Sequence, residues 1–465
     1  MEGAKTLQAA ILEWTNGARG VVVFLGLLLV VTVIFLTRRT ASRDVHKRGT
    51  KIVAAARWWR QRFNLHGGDN LLTLAGVRIT PLDETKHFKL IGTTGTGKST
   101  AIRELLRCAL DRGDRAVIAD PDGGYLQSFY DRYRGDVVLN PFEEGAVKWD
   151  LFAEIRERYD IDQLASGLIP TTEDAAGQEW RGYARTFMSA VIRSCHEQGP
   201  REVAELWRLL AVAPSSELRP VVFDTPAQPF LEPDNARMFG SIRSVAGSAA
   251  AALAYIKEQR AQPFSVRDWV DAGQGVLFIP YKAAQIAALR SIIATWIRLA
   301  IIETMNHPER DQHLWFVVDE LDALGAIDGL KDALARLRKF GGRCVLGFQS
   351  VAQVSSTYGP GEAQTIIENC ANTLILRCSG SENGGTSQFA SRLIGEREII
   401  RRQTSRGRDR ESLSMLRGSR RSTSVSEQHV TEAAVMASEL EQLADLTGYL
   451  KTASGCEWVR VAFSR

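Results

Sequence analysis

The stretch Lys89-Leu-Ile-Gly-Thr-Thr-Gly-Thr-Gly-Lys-Ser-Thr100 decides the fold, because Gly92 to Ser99 spell G-x-x-x-x-G-K-S. Glycines in such a loop allow a tight turn that points successive backbone N–H groups at phosphate oxygens. In this pattern Lys98 reaches the β- and γ-phosphates, and the hydroxyl of Ser99 is a Mg²⁺ ligand. The alternative is a glycine-rich surface turn. We predict a nucleotide site formed by Gly92, Thr93, Thr94, Gly95, Thr96, Gly97, Lys98, Ser99 and Thr100.

A phosphate-binding loop needs a strand before it and a helix after it, and both can be read here. The apolar residues Phe88, Leu90 and Ile91 predict the strand. Behind the loop, apolar residues recur at helical spacing from Ile102 to Leu110. The sequence therefore predicts an α/β nucleotide-binding domain.

Length and composition set further bounds. A chain of 465 residues is long enough for two or three domains. Its formal net charge of +4 is modest for this length, which argues against a histone-like nucleic-acid binder. The six cysteines include no C-x-x-C pair and suggest neither a disulfide framework nor a zinc site.

An uncharged apolar run spans residues 20–36. As a helix it measures about 26 Å, close to the bilayer core of roughly 30 Å. Seven Lys and Arg residues follow between 43 and 62, so the positive-inside rule places the body of the chain in the cytoplasm. We predict a single-pass protein of the bacterial inner membrane, with a cleaved signal peptide or a buried core helix as alternatives.

The chain between residues 159 and 261 has a different pattern. Apolar residues recur at spacings of three and four, as in Trp180, Ala184, Phe187 and Val191, with Pro, Gly and Ser clusters between such segments. This predicts an all-α domain inserted into the α/β pattern. The expected domains are an anchor with a basic segment at 1–63, an all-α domain at 159–261, and a nucleotide-binding domain at 64–158 and 262–465.

A second chemical motif follows a predicted buried strand at Leu314–Val318. Asp319 and Glu320 come at the end of this strand and have the form of a Walker B motif. Asp319 would hold Mg²⁺ through water, and Glu320 would orient or deprotonate the water that attacks the γ-phosphate. An acidic pair that only begins a helix is the alternative.

Two more strands end in polar residues. Gln349 follows the apolar run after Gly341-Gly342 and is the candidate to contact the γ-phosphate or the attacking water, unless it only begins a helix. Arg377 lies at the exit of a predicted buried strand, Asn372–Cys378, and is the candidate arginine that completes a neighbouring subunit's site, with a structural salt bridge as the alternative. Asp120 ends a third strand, but an Asp-Pro-Asp-Gly turn is the better interpretation there.

The C-terminal part holds less chemistry. Arg401–Thr423 is dense in Arg, Ser and Gly, which predicts a solvated loop whose arginines could follow a nucleic-acid backbone. A final helix is expected at 436–446. Two last strands, near 449–451 and 458–463, are expected to form the edge of the sheet.

Taken together, these stretches resemble the coupling proteins of conjugative type IV secretion systems, the TraD/TrwB class. The resemblance rests on the motifs above and on the following further stretches: Leu139-Asn-Pro141, Trp149-Asp150, Phe264-Ser-Val-Arg-Asp-Trp269, Arg338-Lys-Phe-Gly-Gly342 and Leu443-Ala-Asp-Leu446. It departs from the family in two respects. Members usually carry two membrane helices and one is expected here, and the long acidic C-terminal tail by which some relatives recruit the relaxosome is not expected in this chain.

The resemblance implies a RecA/FtsK-like P-loop domain that assembles as a homo-hexamer at the membrane. It implies hydrolysis of ATP with Mg²⁺ held by Ser99 and Asp319, with Lys98, Asp319, Glu320, Gln349 and Arg377 as the catalytic set. The implied partners are single-stranded DNA, the relaxase or relaxosome, and the inner-membrane channel proteins of the secretion system. Export of protein effectors and a docking receptor with little motor activity stay open as alternatives.

Overall fold

The fold was derived from a computed structural model, which describes residues 45–54, 71–171, 175–307, 312–382, 384–408 and 421–463. Within these residues, no helix combines the length and the apolar character needed to cross a bilayer. The predicted membrane helix at 20–36 lies outside the described residues. The anchor thus stays a prediction.

The described residues form seventeen strands and sixteen α-helices, numbered here in chain order. The strands are β1 Val45–Gly49, β2 Ile52–Ala54, β3 Thr73–Leu74, β4 Val77–Arg78, β5 Phe88–Ile91, β6 Arg115–Pro121, β7 Val137–Val138, β8 Lys148–Trp149, β9 Pro263–Phe264, β10 Val276–Tyr281, β11 Leu314–Val318, β12 Gly342–Phe348, β13 Asn372–Ile375, β14 Glu396–Arg408, β15 Arg421–Ala433, β16 Thr447–Lys451 and β17 Trp458–Ala462. The helices are α1 Pro81–Glu84, α2 Lys98–Asp111, α3 Gly124–Phe129, α4 Arg158–Leu168, α5 Ala175–Glu197, α6 Val203–Ala211, α7 Ser215–Val221, α8 Ala236–Ala250, α9 Leu253–Glu258, α10 Val266–Ala272, α11 Ile286–Met305, α12 Leu330–Leu337, α13 Val351–Tyr358, α14 Pro360–Asn369, α15 Gly385–Ile394 and α16 Ala437–Glu441.

A ten-stranded sheet forms the centre of the larger of two compact units, which comprises the described residues of 51–394 and 435–463. Its strand order is β2-β17-β16-β13-β5-β12-β11-β6-β10-β7. The strands from β13 to β7 are mutually parallel. Their near-continuous apolar sequences follow from this arrangement, because parallel strands are covered by helices on both faces. The α/β class predicted from the sequence is therefore confirmed.

The strand order places the predicted motifs side by side. β5 leads into the phosphate-binding loop, and β12 lies between β5 and β11. Because these strands are parallel, their carboxyl ends lie at one edge of the sheet, where open α/β sheets bind ligands. The ends of β12 and β11 carry Gln349 and the pair Asp319-Glu320, so the sheet brings these residues to the phosphate-binding loop.

The chain between β8 and β9 is helical, as the sequence predicts. It contains α4 to α9, with α4 packed on both α5 and α11. Of the apolar stripe of α5, Ala184, Phe187 and Val191 are buried here, and Phe187 makes an edge-to-face contact with Phe239 of α8 at 5.2 Å between ring centroids. The predicted domain boundaries stay predictions.

The second compact unit contains residues 45–50 and the described part of 395–434. β14 and β15 form a long antiparallel hairpin, and β1 pairs with β14. The prediction of a loop at Arg401–Thr423 is therefore wrong for 401–408 and 421–423, which lie in strands. Hydrogen bonds between the two paired strands satisfy the backbone N–H and C=O groups, so a polar segment can form a strand without a continuous apolar face. Ion pairs such as that between Arg402 and Glu427, at 2.8 Å, also link the two strands.

Two further expectations need correction. β16 and β17 exist as predicted, but they do not form the edge of the sheet, since β2 pairs in parallel with the outer side of β17. The last helix is only Ala437–Glu441, shorter than the expected 436–446. Leu446, at the end of the expected helix, has instead a left-handed backbone (φ 62°), and its amide donates to the carbonyl of Thr96 at 2.9 Å.

Candidate nucleotide site

The phosphate-binding loop has the backbone that its sequence predicts. Gly95 and Gly97 have positive φ angles of 77° and 117°, which L side chains rarely adopt. At Gly97 a Cβ atom would also approach the side chain of Leu446 to 2.9 Å, and at Gly92 it would meet Thr96 Oγ1 at 2.9 Å. The glycine positions are thus required both by backbone conformation and by the packing around the loop.

Lys98 begins α2 and turns its amine back over the loop. Its Nζ donates to the carbonyls of Gly92 at 2.6 Å and Thr93 at 3.2 Å. Burial lowers the pKa of the Lys98 amine, and the nearby carboxylates of Asp319 and Glu320 act in the opposite direction. Among the described residues, the buried Lys98 amine donates only to carbonyl groups. It is suited to bind an anion, because the charge of the anion would compensate for the water that the amine loses on burial.

Ser99 and Asp319, the two predicted metal ligands, are in contact. Ser99 Oγ donates to Asp319 Oδ2 at 2.7 Å, and the hydroxyl of Tyr125 donates to the same oxygen at 2.7 Å. The other oxygen, Asp319 Oδ1, is buried and has no hydrogen-bond partner among the described residues. A hydroxyl, a carboxylate and a free buried carboxylate oxygen are the kind of ligands that Mg²⁺ takes, so these residues fit the metal.

Glu320 and Gln349 form a second link around the loop. Gln349 Nε2 donates to Glu320 Oε1 at 2.7 Å, and its own Oε1 accepts from Thr94 Oγ1 at 3.0 Å. Burial raises the pKa of the Glu320 carboxyl, while the hydrogen bond from Gln349 lowers it. A raised pKa makes a carboxylate a better proton acceptor, as a general base requires.

Arg377 contacts the loop through its backbone. Its carbonyl accepts from the amide of Thr93 at 2.9 Å, whereas its guanidinium lies 2.7 Å from Asp445 and donates to the carbonyl of Leu443 at 3.4 Å. The side chain is thus paired within its own chain. Its predicted role toward a neighbouring subunit stays a prediction.

Asp120 has the structural role of a turn residue. Its carboxylate accepts from the amides of Tyr125 at 3.0 Å and Leu126 at 2.7 Å, at the start of α3. Burial raises its pKa to about 6.

The sequence gives no signal for two other residues of the site, Tyr125 and Leu446, because both reach it only through contacts distant along the chain.

A cavity of about 190 Å³ joins these residues, and its lining belongs almost entirely to the predicted site. The lining residues are Thr94, Gly95, Gly97, Lys98, Ser99, Thr100, Asp319, Glu320 and Leu446. A larger cavity of about 860 Å³ lies among α4, α5, α8 and α11, but no carboxylate and none of the predicted residues lie in its described lining. The smaller cavity is therefore the candidate nucleotide site.

Comparison with known proteins gives matches over most of the chain. The sequence model described as "Type IV secretion-system coupling protein DNA-binding domain" matches residues 71–464. Coupling protein TraD of Escherichia coli (strain K12) is 32% identical over 398 residues, which are 83% of this chain. This chain spans about half of the length of that relative, 53%. The coupling protein VirD4 of Bartonella henselae is 28% identical over 130 residues, 28% of this chain and 19% of its own.

Solved structures of similar fold include an unbound form and complexes with nucleotides. The unbound conjugative coupling protein TrwBdeltaN70 superposes with a TM-score of 0.79 and 29% identity, covering 91% of this chain and 94% of its own. TrwB in complex with the non-hydrolysable ATP analogue ADPNP has a TM-score of 0.78 and 29% identity, covering 90% and 94%. TrwB in complex with ADP and Mg²⁺ has a TM-score of 0.78 and 30% identity, covering 91% and 94%.

Proposed function

The chain belongs to the family of type IV secretion-system coupling proteins, and we propose that it is a membrane-anchored, hexameric ATPase that drives single-stranded DNA toward a secretion channel. The observation that carries this proposal is the geometry of the site. Lys98, the Ser99–Asp319 pair and Glu320 line one cavity at the end of β5, and Gln349 donates to Glu320 behind it. Binding of ADPNP and of ADP with Mg²⁺ by TrwB, a similar protein, supports ATP and Mg²⁺ as the ligands.

Different residues of the chain have different roles in the proposed hydrolysis of ATP. Lys98 and the loop amides bind the phosphates, and Ser99 with Asp319 would hold Mg²⁺. When bound, Mg²⁺ neutralises charge on the β- and γ-phosphates. Glu320 orients the attacking water and accepts its proton, and Gln349 holds the Glu320 carboxylate in place. An intact pair of this kind supports a motor rather than a docking receptor.

The cargo and the assembly are proposed from the family. The matching family model is described as a DNA-binding domain, which supports DNA as the cargo. A relaxase or relaxosome would deliver the strand, and inner-membrane channel proteins would receive it. Ring assembly as a homo-hexamer would bring Arg377 of one subunit toward the site of the next.

The apolar run at 20–36 and the basic residues after it support a single-pass anchor with the bulk of the chain in the cytoplasm. Protease treatment of sealed spheroplasts tests this orientation. We expect the bulk of the chain to be protected from protease added outside and to be degraded only after the membrane is permeabilised. Degradation in intact spheroplasts would contradict it.

ATP hydrolysis by the full-length protein, with and without single-stranded DNA, tests the proposed activity. Two variants complete the experiment, Lys98→Ala and Glu320→Gln. We expect DNA to stimulate hydrolysis in the wild type and both substitutions to abolish it, with ATP binding lost in Lys98→Ala and kept in Glu320→Gln. Glu320→Gln is a mild change, since Gln349 can still donate to its amide oxygen.

The outcomes separate the candidate functions. Turnover that does not respond to DNA would favour export of protein cargo. Absence of turnover in a wild type that binds ATP would favour a docking receptor. Wild-type hydrolysis in either variant would overturn the assignment of the site.

A further inference from the structure

Tyr125 is the second hydrogen-bond donor at the carboxylate of Asp319, besides Ser99, and no motif assigns it a role. Its hydroxyl donates to Asp319 Oδ2 at 2.7 Å, and the contact joins residues 194 positions apart in the chain. The Tyr125 side chain is buried, with 2% of its surface exposed. The site therefore contains a buried hydroxyl that donates to a carboxylate, and this carboxylate is itself a predicted metal ligand.

The position of Tyr125 is fixed from two sides. Asp120 accepts from the amides of Tyr125 and Leu126 and so holds the first turn of α3. The guanidinium of Arg103, from the helix that follows the phosphate-binding loop, lies over the Tyr125 ring at 5.4 Å from its centroid. The phenol is thus held between α2 and the end of β11, with little freedom to leave Asp319.

Ser99 and Tyr125 donate to the same oxygen but differ in what they can do next. The Ser99 hydroxyl is also a predicted Mg²⁺ ligand, so its orientation would depend on the metal as well as on Asp319 Oδ2. The Tyr125 hydroxyl has no such second role. Its hydrogen bond to Asp319 can therefore orient the carboxylate, including the free oxygen Oδ1, whether or not the metal is bound.

We propose that Tyr125 is a positioning residue that fixes the Asp319 carboxylate for Mg²⁺ and thereby sets the affinity of the nucleotide site for the metal. Hydrogen-bond donors behind metal ligands commonly act in this way, because they restrict the ligand to one orientation. Tyr125 is not among the residues that line the candidate nucleotide cavity. This inference rests on the proposed ATPase function and extends it to a residue outside the Walker motifs.

Tyr125→Phe in the full-length protein is the test, because it removes only the hydroxyl and keeps the ring. We would measure Mg²⁺ affinity by titrating the metal into protein with ADP bound, and ADP affinity separately in EDTA. We expect Mg²⁺ affinity to fall about 10-fold or more, the usual cost of losing a partner of a metal ligand, with ADP affinity in EDTA unchanged. The Mg²⁺ concentration that supports half-maximal ATP hydrolysis should rise in parallel.

Tyr358→Phe is the matched control. Tyr358 is a second buried tyrosine, and its hydroxyl bonds only to backbone groups, those of Ile327 at 3.2 Å and Gly325 at 3.3 Å. Loss of the Tyr358 hydroxyl should leave Mg²⁺ affinity unchanged. The thermal unfolding of Tyr358→Phe measures how much stability is lost when a buried hydroxyl alone is removed. Asp120→Ala, which loosens α3, should reproduce part of the Mg²⁺ defect of Tyr125→Phe.

Three results would overturn the proposal: a Mg²⁺ affinity equal to the wild type, a higher Mg²⁺ affinity, or an equal loss of ADP affinity in EDTA. The last would show that the Tyr125 hydroxyl supports the whole site rather than the metal ligand alone. Failure of the proposed function is distinguishable, because the wild type itself would then show no Mg²⁺-dependent binding of nucleotide.

Discussion

Gln349 Nε2 donates to Glu320 Oε1 at 2.7 Å, and the same amide accepts from Thr94 Oγ1. The bond exists because β12, which precedes Gln349, lies between the strand of the phosphate-binding loop and the strand of the Walker B motif. One side chain therefore contacts both halves of the nucleotide site. Any movement of the loop on nucleotide binding would therefore change the position of Gln349 and of the predicted general base, Glu320.

Gln349→Ala should lower the ATPase rate by about 10²-fold, because a positioned acid–base group contributes roughly 10²–10⁴ to the rate. ATP affinity should change much less, since Lys98 and the loop amides are untouched. Steady-state hydrolysis and equilibrium ATP binding measure the two effects. Gln353→Ala, on the exposed face of the following helix, is the control and should leave the rate as it is. A 10²-fold loss of ATP affinity in Gln349→Ala would contradict the positioning role.

Arg377→Ala should lower hydrolysis by about 10³-fold if the side chain completes the neighbouring site, as arginine fingers do. The pair with Asp445 is half exposed and therefore weak, so the side chain can exchange it for phosphate. Mixing Arg377→Ala subunits with inactive Glu320→Gln subunits checks the direction. A mixed ring contains sites with an intact Glu320 beside an intact Arg377, so activity should return. No recovery on mixing would place the arginine in its own subunit's site.

His87 should make stability depend on pH. This buried residue precedes β5, where its Nδ1 accepts from the amide of Cys344 at 3.0 Å and its Nε2 lies 2.9 Å from the carbonyl of Leu334. Burial lowers the pKa of His87 from 6.5 to about 4. Between these values the unfolded chain binds the extra proton, so stability is fully present above pH 6.5 and falls as the pH drops toward 4. The loss amounts to about 3 kcal/mol.

Urea unfolding of the wild type and of His87→Asn at several pH values between 4 and 8 measures this dependence. Asparagine tolerates the left-handed backbone of residue 87, where φ is 53°. We expect the variant to be less stable at pH 7.5, and the difference to shrink as the pH approaches 4. Two curves that stay parallel over the whole range would show that His87 does not titrate there.

Asp160→Ala should destabilise the fold by about 3–5 kcal/mol, the usual cost of removing one partner of a buried ion pair. Arg267 lies 2.7 Å from Asp160, and both are buried, with 2% and 0% of their side-chain surface exposed. The pair joins α4, at the start of the helical segment, to α10, which follows its end. The free energy of unfolding in urea measures the effect.

Glu217→Ala is the comparison for the ion-pair prediction. It breaks the exposed contact between Glu217 and Arg208, so no comparable loss of stability is expected. Equal losses in the two variants would contradict the importance of burial at Asp160.

The sequence by itself determined the class of the fold and most of the nucleotide site. The phosphate-binding loop is readable because its glycines are required by local backbone geometry, which does not depend on the rest of the chain. The Walker B strand is readable because burial on both faces demands a continuous apolar run before Asp319. Local patterns also predicted that Gln349 ends a strand. Only the family resemblance indicated that these separate motifs act together in one kind of protein.

The tertiary structure decided which partners the side chains have. Tyr125 reaches Asp319 across 194 positions, and Ser99 reaches it across 220, so no window of sequence contains both ends of either contact. The hairpin β14–β15 was missed because cross-strand pairing, rather than an apolar face, holds its polar residues in strands. Sequence patterns record the local requirements of backbone and burial. Contacts between distant segments depend on strand order, which only the folded chain fixes.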